Sequence, residues 1–180
     1  MEILAQVGDV TCAKILDFGC GTGRLLDYLI RTRGFRGEYV GYELIPDLVA
    51  HANVTRQLGR FEVRNVLADG VPEDFDYIVI GGVFNNRLGD NKAFMVEVLR
   101  RLFPHARCGL AFNALSTYVD WFDPDLFYMD PGEVFELCKQ ELSPRVALRH
   151  DYEVKPGVLP FEFTVYVYKS SVVPRRRLHA

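Results

Sequence analysis

Residues 17 to 23 read DFGCGTG, with Gly19, Gly21 and Gly23 at every second position after a carboxylate, Asp17. A turn so poor in side chains lets a ligand lie against bare backbone, and the amides that open the next helix point at whatever sits there. About twenty residues further on, a second carboxylate, Glu43, ends the run EYVGYE, where an acid can accept both hydroxyls of a ribose. The pair describes a site for a ribose-bearing ligand without choosing which one.

Two ligand classes use such a turn. A dinucleotide-binding loop reads G-x-G-x-x-G, its third glycine letting helix and strand pack closely. Here that third place falls on Arg24, whose long side chain would have to occupy the packing position. A nicotinamide-dependent reductase is therefore disfavoured, and the observed D-x-G-x-G-x-G favours a different nucleoside. Polar side chains that could face a second substrate follow later strand-like runs: Asn85 and Asn86, Tyr118 and Asp120, His150 and Asp151. Of these residue types, imidazole is the one whose ordinary titration lies near neutral pH, which makes His150 the strongest proton acceptor among them. Capping and packing are the plainer explanations for each.

The elements that must position these residues alternate. AKILDF, EYVGYE, RFEVRNV, FDYIVI and CGLAFN are short apolar or β-branched runs, each ending near a polar or glycine-containing segment. RLLDYLI, PDLVAHANVTRQLG, DNKAFMVEVLRRLF and DPGEVFELCKQEL have helical periodicity between them. Pro46 suits a first helical position and Gly59 a stop; Asp90 suits an N-cap; Asp130, Pro131 and Glu133 suit a cap, a first position and the return side of a capping box. Alternation of this kind predicts an α/β fold with a largely parallel sheet. RVALRHDYEV and PFEFTVYVYK are both strand-like with only KPGVL between them, too short for a parallel crossover, so they should pair antiparallel at the end of that sheet.

A chain of 180 residues with 49% hydrophobic composition supports one core and is thin for two. One domain is expected over residues 1–170, followed by a flexible basic tail over 171–180 with its three consecutive arginines. A net charge of -3 offers no basic field, which argues against nucleic acid as a partner. No apolar run is long enough for a membrane span and no secretory signal opens the sequence, so a cytoplasmic protein without a membrane partner is expected. The four cysteines and four histidines match no metal-ligand spacing, and no metal is implied.

ILDFGCGTG, YVGYE and FDYIVIGGVFN resemble the first motif, the acidic second strand and the fourth-strand motif of the class I S-adenosylmethionine-dependent methyltransferases, and the resemblance covers nearly the whole chain. Within that family, the run from Asn113 to Lys139 and the ending from Arg149 to Lys169 look like a group of small bacterial methyltransferases. The resemblance implies a Rossmann-like, seven-stranded, mostly parallel sheet with helices on both faces, the final strand inserted antiparallel. It implies S-adenosylmethionine as cofactor, S-adenosylhomocysteine as product, and a small-molecule acceptor methylated on nitrogen or oxygen. The alternative is a cofactor-binding partner or regulatory subunit without turnover of its own.

Carried onto this sequence, the family pattern gives Gly19, Cys20, Gly21 and Gly23 the methionyl part of the cofactor, with Asp17 fixing the loop and the amino group. Glu43 would hold the ribose and Leu44 the adenine. Asn65 and Val66 would follow the third strand beside the adenine, with Asp69 a competitor read as a turn residue, and Gly81 and Gly82 would let the chain pass close to the sulfonium. Asn85, Tyr118 and His150 are the candidate catalytic residues. GGVFNN departs from the N-P-P-Y type motif that some relatives use on planar amino groups, which lowers the expectation of nucleic-acid amine methylation. Only 14 residues precede Ile15, so the N-terminal cap over the acceptor site is expected to be short or absent. A large acceptor, a second copy of the chain in a homodimer, or the late loop TYVDWFDPDLFYMD could then close the site.

Overall fold

The computed structural model describes residues 1–170; the basic tail expected over 171–180 lies outside the described residues. A 3-10 turn (Leu4–Val7) precedes β1 (Lys14–Phe18), α1 (Arg24–Arg33), β2 (Glu38–Glu43), α2 (Pro46–Thr55), β3 (Gly59–Val63) and α3 (Val66–Asp69). There follow β4 (Phe75–Ile80), α4 (Asn91–Leu102), β5 (Ala106–Ser116), β6 (Tyr128–Met129), α5 (Pro131–Glu141), β7 (Val146–Arg149) and β8 (Glu162–Tyr168). The sheet runs in the order β3-β2-β1-β4-β5-β8-β7. β1 to β5 run parallel to one another, and β8 is antiparallel to both β5 and β7. The seven strands and the inserted antiparallel strand match the expectation. The two-residue β6, parallel to the end of β5, is an eighth that the sequence did not suggest.

Both faces of the sheet are buried, as near-continuous apolar runs require. Leu16, Ile78, Ile80, Leu110, Phe112 and Phe163 on one face pack with Met95, Val98 and Leu99 of α4 and Val134 and Cys138 of α5. Ile15, Tyr39, Val79, Ala111 and Tyr166 on the other pack with α1, α2 and the N-terminal turn. Strand register assigns the polar residues to these faces. Asp17, Val79, Ala111 and Tyr166 are mutual partners across four strands and so share the second face. Two residues further along, the same face carries Gly81 and the paired Asn113 and Thr164; two further, the paired Leu115 and Glu162.

Several boundaries differ from expectation for local reasons. α2 begins at Pro46 as expected but ends at Thr55, and Gly59 opens β3 instead of stopping the helix. β3 stops at Val63 because Asn65 caps α3, its side-chain oxygen accepting from the Leu67 amide. Asp69 therefore lies in a helical turn, accepting from the Asn65 amide at 2.9 Å. Asp90 and Asp130 cap α4 and α5 as expected. Glu133 gives no return bond to its cap; its carboxylate takes Lys92 Nζ at 3.1 Å. β7 ends at Arg149, so the β7–β8 connection is residues 150–161, longer than KPGVL but still without a helix.

The N-terminal turn is tied to the sheet rather than lying loose. Tyr166 donates from its hydroxyl to the Ile3 carbonyl at 2.6 Å, Arg149 reaches Gln6 Oε1 at 2.6 Å, and Leu4, Ala5 and Val7 are buried. Removing the Tyr166 hydroxyl strands a part-buried carbonyl, which should cost about 1 kcal/mol. Tyr166→Phe is therefore expected to lower the melting temperature by about 2–4 °C and to speed amide exchange over Ile3–Val7. Unchanged exchange there would show that the turn is held by packing alone.

Candidate active site

The Gly19–Gly23 turn hangs from the tip of β2. The amides of Gly19 and Cys20 both donate to the Tyr42 carbonyl, at 2.8 and 3.1 Å. The Gly21 amide donates to Glu43 Oε2 at 2.9 Å, while Glu43 Oε1 accepts from Leu44 and Ile45 at 2.7 and 3.2 Å. All three glycines have positive φ, 73°, 54° and 78°. A Cβ on Gly19 would stand 2.4 Å from Val83 Cγ2 and one on Gly23 2.6 Å from Phe61 Cε1, whereas one on Gly21 would meet nothing within 4 Å. Gly23 thus does the close packing that a dinucleotide loop leaves to its third glycine. Gly21 faces open space.

That space is a hollow of about 380 Å³ lined by Asp17, Gly19 to Thr22, Leu48, Val79 and Gly81, with Met1 and Leu4 of the N-terminal segment forming a further wall. A larger hollow of about 660 Å³ lies on the outer face of α4 between Asp90 and His105. None of its lining residues belongs to the glycine turn, so size does not mark the site here. Asp17 sits at the floor of the smaller hollow, 5% exposed, accepting from the Tyr39 hydroxyl. Burial pushes its carboxyl up to about 6, against the Tyr39 hydrogen bond and with help from the Glu43 charge. Cys20 is buried too, and burial first of all raises its thiol, so it serves as packing and not as a nucleophile.

The residues expected around an adenine divide by direction. Leu44 and Ile45 stand exposed beside Glu43, offering apolar surface. Val66 is buried in the core, so only its backbone is available to a ligand. Asn65 has its side-chain oxygen committed to the Leu67 amide, which leaves its NH₂ group free to donate.

At the other end, the Gly82 amide donates to Asn113 Oδ1 at 2.7 Å. A Cβ on Gly82 would lie 4.0 Å from Asn85 Nδ2, and Asn85 Oδ1 is a buried acceptor without a hydrogen-bond partner. Such an orphan is suited to an N–H or O–H of a bound molecule. Asn86, Tyr118 and Asp120 are exposed. The Tyr118 ring lies 6.0 Å from that of His150, and His150 packs on Phe163 with Nε2 2.7 Å from the Pro160 carbonyl. His150 and Tyr118 are thus brought together, but on the Phe163 face of the sheet, while Asp17 and Gly81 occupy the other. Asp151 pairs with Arg149. Sequence reasoning missed Met1 and Leu4 in the wall, and also Asn113 beside Gly82 and the Glu162 and Tyr152 side chains linked to it. A polar residue inside an apolar strand, as in GLAFN, was the available signal for Asn113.

The loop expected as a lid is strapped at its base. Phe127 donates its amide to the Asn85 carbonyl, Thr117 to that of Met129, and Arg87 braces the Pro124 and Leu126 carbonyls. Trp121 and Phe122 project from it, exposed.

A glycine turn facing open space, a carboxylate at the neighbouring strand tip and a buried carboxylate beneath mark one edge of this α/β sheet as an open cleft. Residues 16–109 match the methyltransferase domain family. The chain is 39% identical over 164 residues to the protein named "Putative methyltransferase Rv1506c" of Mycobacterium tuberculosis, covering 88% of this chain and 94% of that one. Its fold is similar to magnesium protoporphyrin IX methyltransferase from Synechocystis PCC 6803 with bound SAH (TM-score 0.68, 11% identity, 94% of this chain and 80% of that one). It is also similar to a TehB-like SAM-dependent methyltransferase from Corynebacterium glutamicum (TM-score 0.61, 24% identity, 92% and 87%). The chain belongs to the methyltransferase domain family: it is a class I methyltransferase of the S-adenosylmethionine-dependent kind. Among the described residues no helix is long and apolar enough to cross a membrane.

The raised Asp17 carboxyl has a consequence for the ligand-free protein. Its folded value, about 6, lies above the ordinary 3.8, so its contribution is fully present below about pH 4 and lost as pH rises through 6. The loss is on the order of 2–3 kcal/mol. Asp17→Asn, which can still accept from Tyr39, should flatten the decline in urea-denaturation stability between pH 4 and 7. Equal slopes in both proteins would contradict the burial of a lone carboxylate.

Proposed function

We propose that this chain transfers a methyl group from S-adenosylmethionine to nitrogen or oxygen of a small-molecule acceptor by in-line displacement over Gly81 and Gly82. The observation that carries the reading is the Glu43–Gly21 link, which leaves an unencumbered backbone turn beside a carboxylate whose Oε2 accepts one hydrogen bond and keeps a lone pair to spare. S-adenosylmethionine, when bound, supplies an electrophilic methyl carbon and carries its cationic sulfonium and ammonium groups into the cleft. Glu43 would accept the ribose hydroxyls, Leu44 and the Asn65 NH₂ would meet the adenine, and Asp17 would face the amino group. Charge supports this nucleoside over a dinucleotide: Asp17 and Glu43 both serve this edge of the sheet, and among the described residues neither is in an ion pair. A cation is attracted to such a site and a diphosphate repelled.

The protein's main contribution is alignment, which can supply about 7–11 kcal/mol when the reacting atoms are held at attack distance. Asn85 stands closest to Gly82 of the three candidate catalytic residues, with its orphaned oxygen available to orient the attacking group. Trp121 and Phe122, each more than half exposed on the loop after β5, offer apolar surface suited to an acceptor with an apolar body.

Titration calorimetry tests the cofactor assignment. The purified chain should bind S-adenosylhomocysteine, and Glu43→Ala should weaken that binding about tenfold or more. Affinity should also fall as pH is lowered through about 6, because protonating Asp17 removes the charge that meets the ligand's ammonium. Unchanged affinity in Glu43→Ala would remove the ribose assignment.

A further inference from the structure

Beside the Gly81–Gly82 turn lies a polar chain that cofactor binding does not account for. Asn113 holds the Gly82 amide through Oδ1 and donates from Nδ2 to Glu162 Oε2 at 2.6 Å. Glu162 Oε1 accepts from the Tyr152 hydroxyl at 3.1 Å, and Tyr152 meets Thr164 Oγ1 at 2.7 Å. Asn113 and Thr164 are buried, and burial raises the Tyr152 phenol well above its ordinary value, so Tyr152 is a standing donor. Register puts Asn113, Thr164 and Glu162 on the same sheet face as Asp17 and Gly81, at the strand ends where the cleft opens.

A carboxylate fixed by two donors and joined through one side chain to the turn beneath the reacting methyl has the arrangement of an oriented base: the group that takes the proton is itself held by others. Among the described residues no cation pairs with it, and each of its oxygens keeps a lone pair. His150, the residue type better suited to such work by ordinary titration, is packed on the opposite face.

We propose that Glu162 receives the proton of the attacking N–H or O–H group, with Asn113 and Tyr152 as positioning residues. The proposal rests on the reading that the methyl donor lies over Gly81 and Gly82. The acceptor's lone pair forms the new bond to the methyl carbon as the carbon–sulfur bond breaks. That bonding pair stays on sulfur, which becomes a neutral thioether, and the acceptor's proton passes to the Glu162 carboxylate and from there to water. A group that donates to Glu162 from the methyl's position should for the same reason bind tightly.

Sinefungin, in which a carbon bearing an amine replaces the methylated sulfur, puts an ammonium at that position and provides a test that needs no acceptor. Titration of the full chain should show sinefungin binding about tenfold or more tighter than S-adenosylhomocysteine, as a charge-assisted hydrogen bond warrants. Glu162→Gln should abolish most of that preference while leaving S-adenosylhomocysteine affinity within about twofold and the fold intact by thermal melting. Tyr152→Phe should lower the same ratio by a smaller factor, with S-adenosylhomocysteine affinity again unchanged, which loss of structure alone would not produce. A preference for sinefungin that survives in Glu162→Gln overturns the proposal. Failure of the unaltered chain to bind S-adenosylhomocysteine overturns instead the cofactor reading beneath it.

Discussion

The Glu43 carboxylate ties two strands' ends into one site. Its Oε2 holds the Gly21 amide and its Oε1 the amides that follow β2, so the turn after β1 and the tip of β2 move as one body. The Tyr42 carbonyl, gripping Gly19 and Cys20 from the same strand, completes the clamp. These bonds can form only because three residues adopt positive φ, which in this turn glycine alone provides cheaply. Position of the turn, openness of its backbone and aim of the carboxylate therefore share one cause.

From that clamp the cleft is extended by sheet register. The row that begins at Asp17 runs through Val79 and Ala111 to Tyr166, and Tyr166 in turn anchors the N-terminal turn whose Leu4 lines the hollow. The next rows bring Gly81, Asn113 and Glu162 to the same edge. One face of one edge thus gathers bare glycine backbone and unpaired carboxylates, an environment complementary to a cationic nucleoside. The opposite face, filled by α4 and α5, does mechanical work.

Much of this was legible in the sequence because it is local. Spacing of Gly19, Gly21 and Gly23, the acid ending EYVGYE, and the caps Asp90 and Asp130 act within a few residues of one another, and the structure places each in the expected conformation. The antiparallel insertion of β8 was legible from a connection with no room for a helix. What escaped depends on contacts between distant segments. Asn113 and Glu162 are 49 residues apart and meet only because β8 enters beside β5. β3 was read too long because Asn65 spends its side chain on a helix cap, a choice that apolar patterning does not record. The N-terminal segment, expected to be a short cap at most, also walls the hollow beside the glycine turn, held there by bonds to β7 and β8. The expected roles of Asn85, Tyr118 and His150 in catalysis rest on their positions alone, and those positions favour Asn85.

The central claim is that the Glu43 clamp grips a nucleoside carrying an amino acid. A crystal structure of the chain with S-adenosylhomocysteine tests it most directly. The account predicts both ribose hydroxyls on Glu43, the amino group above Asp17 and the sulfur against Gly81. A nucleoside seated elsewhere, with Glu43 still bonded only to its own backbone neighbours, would contradict it.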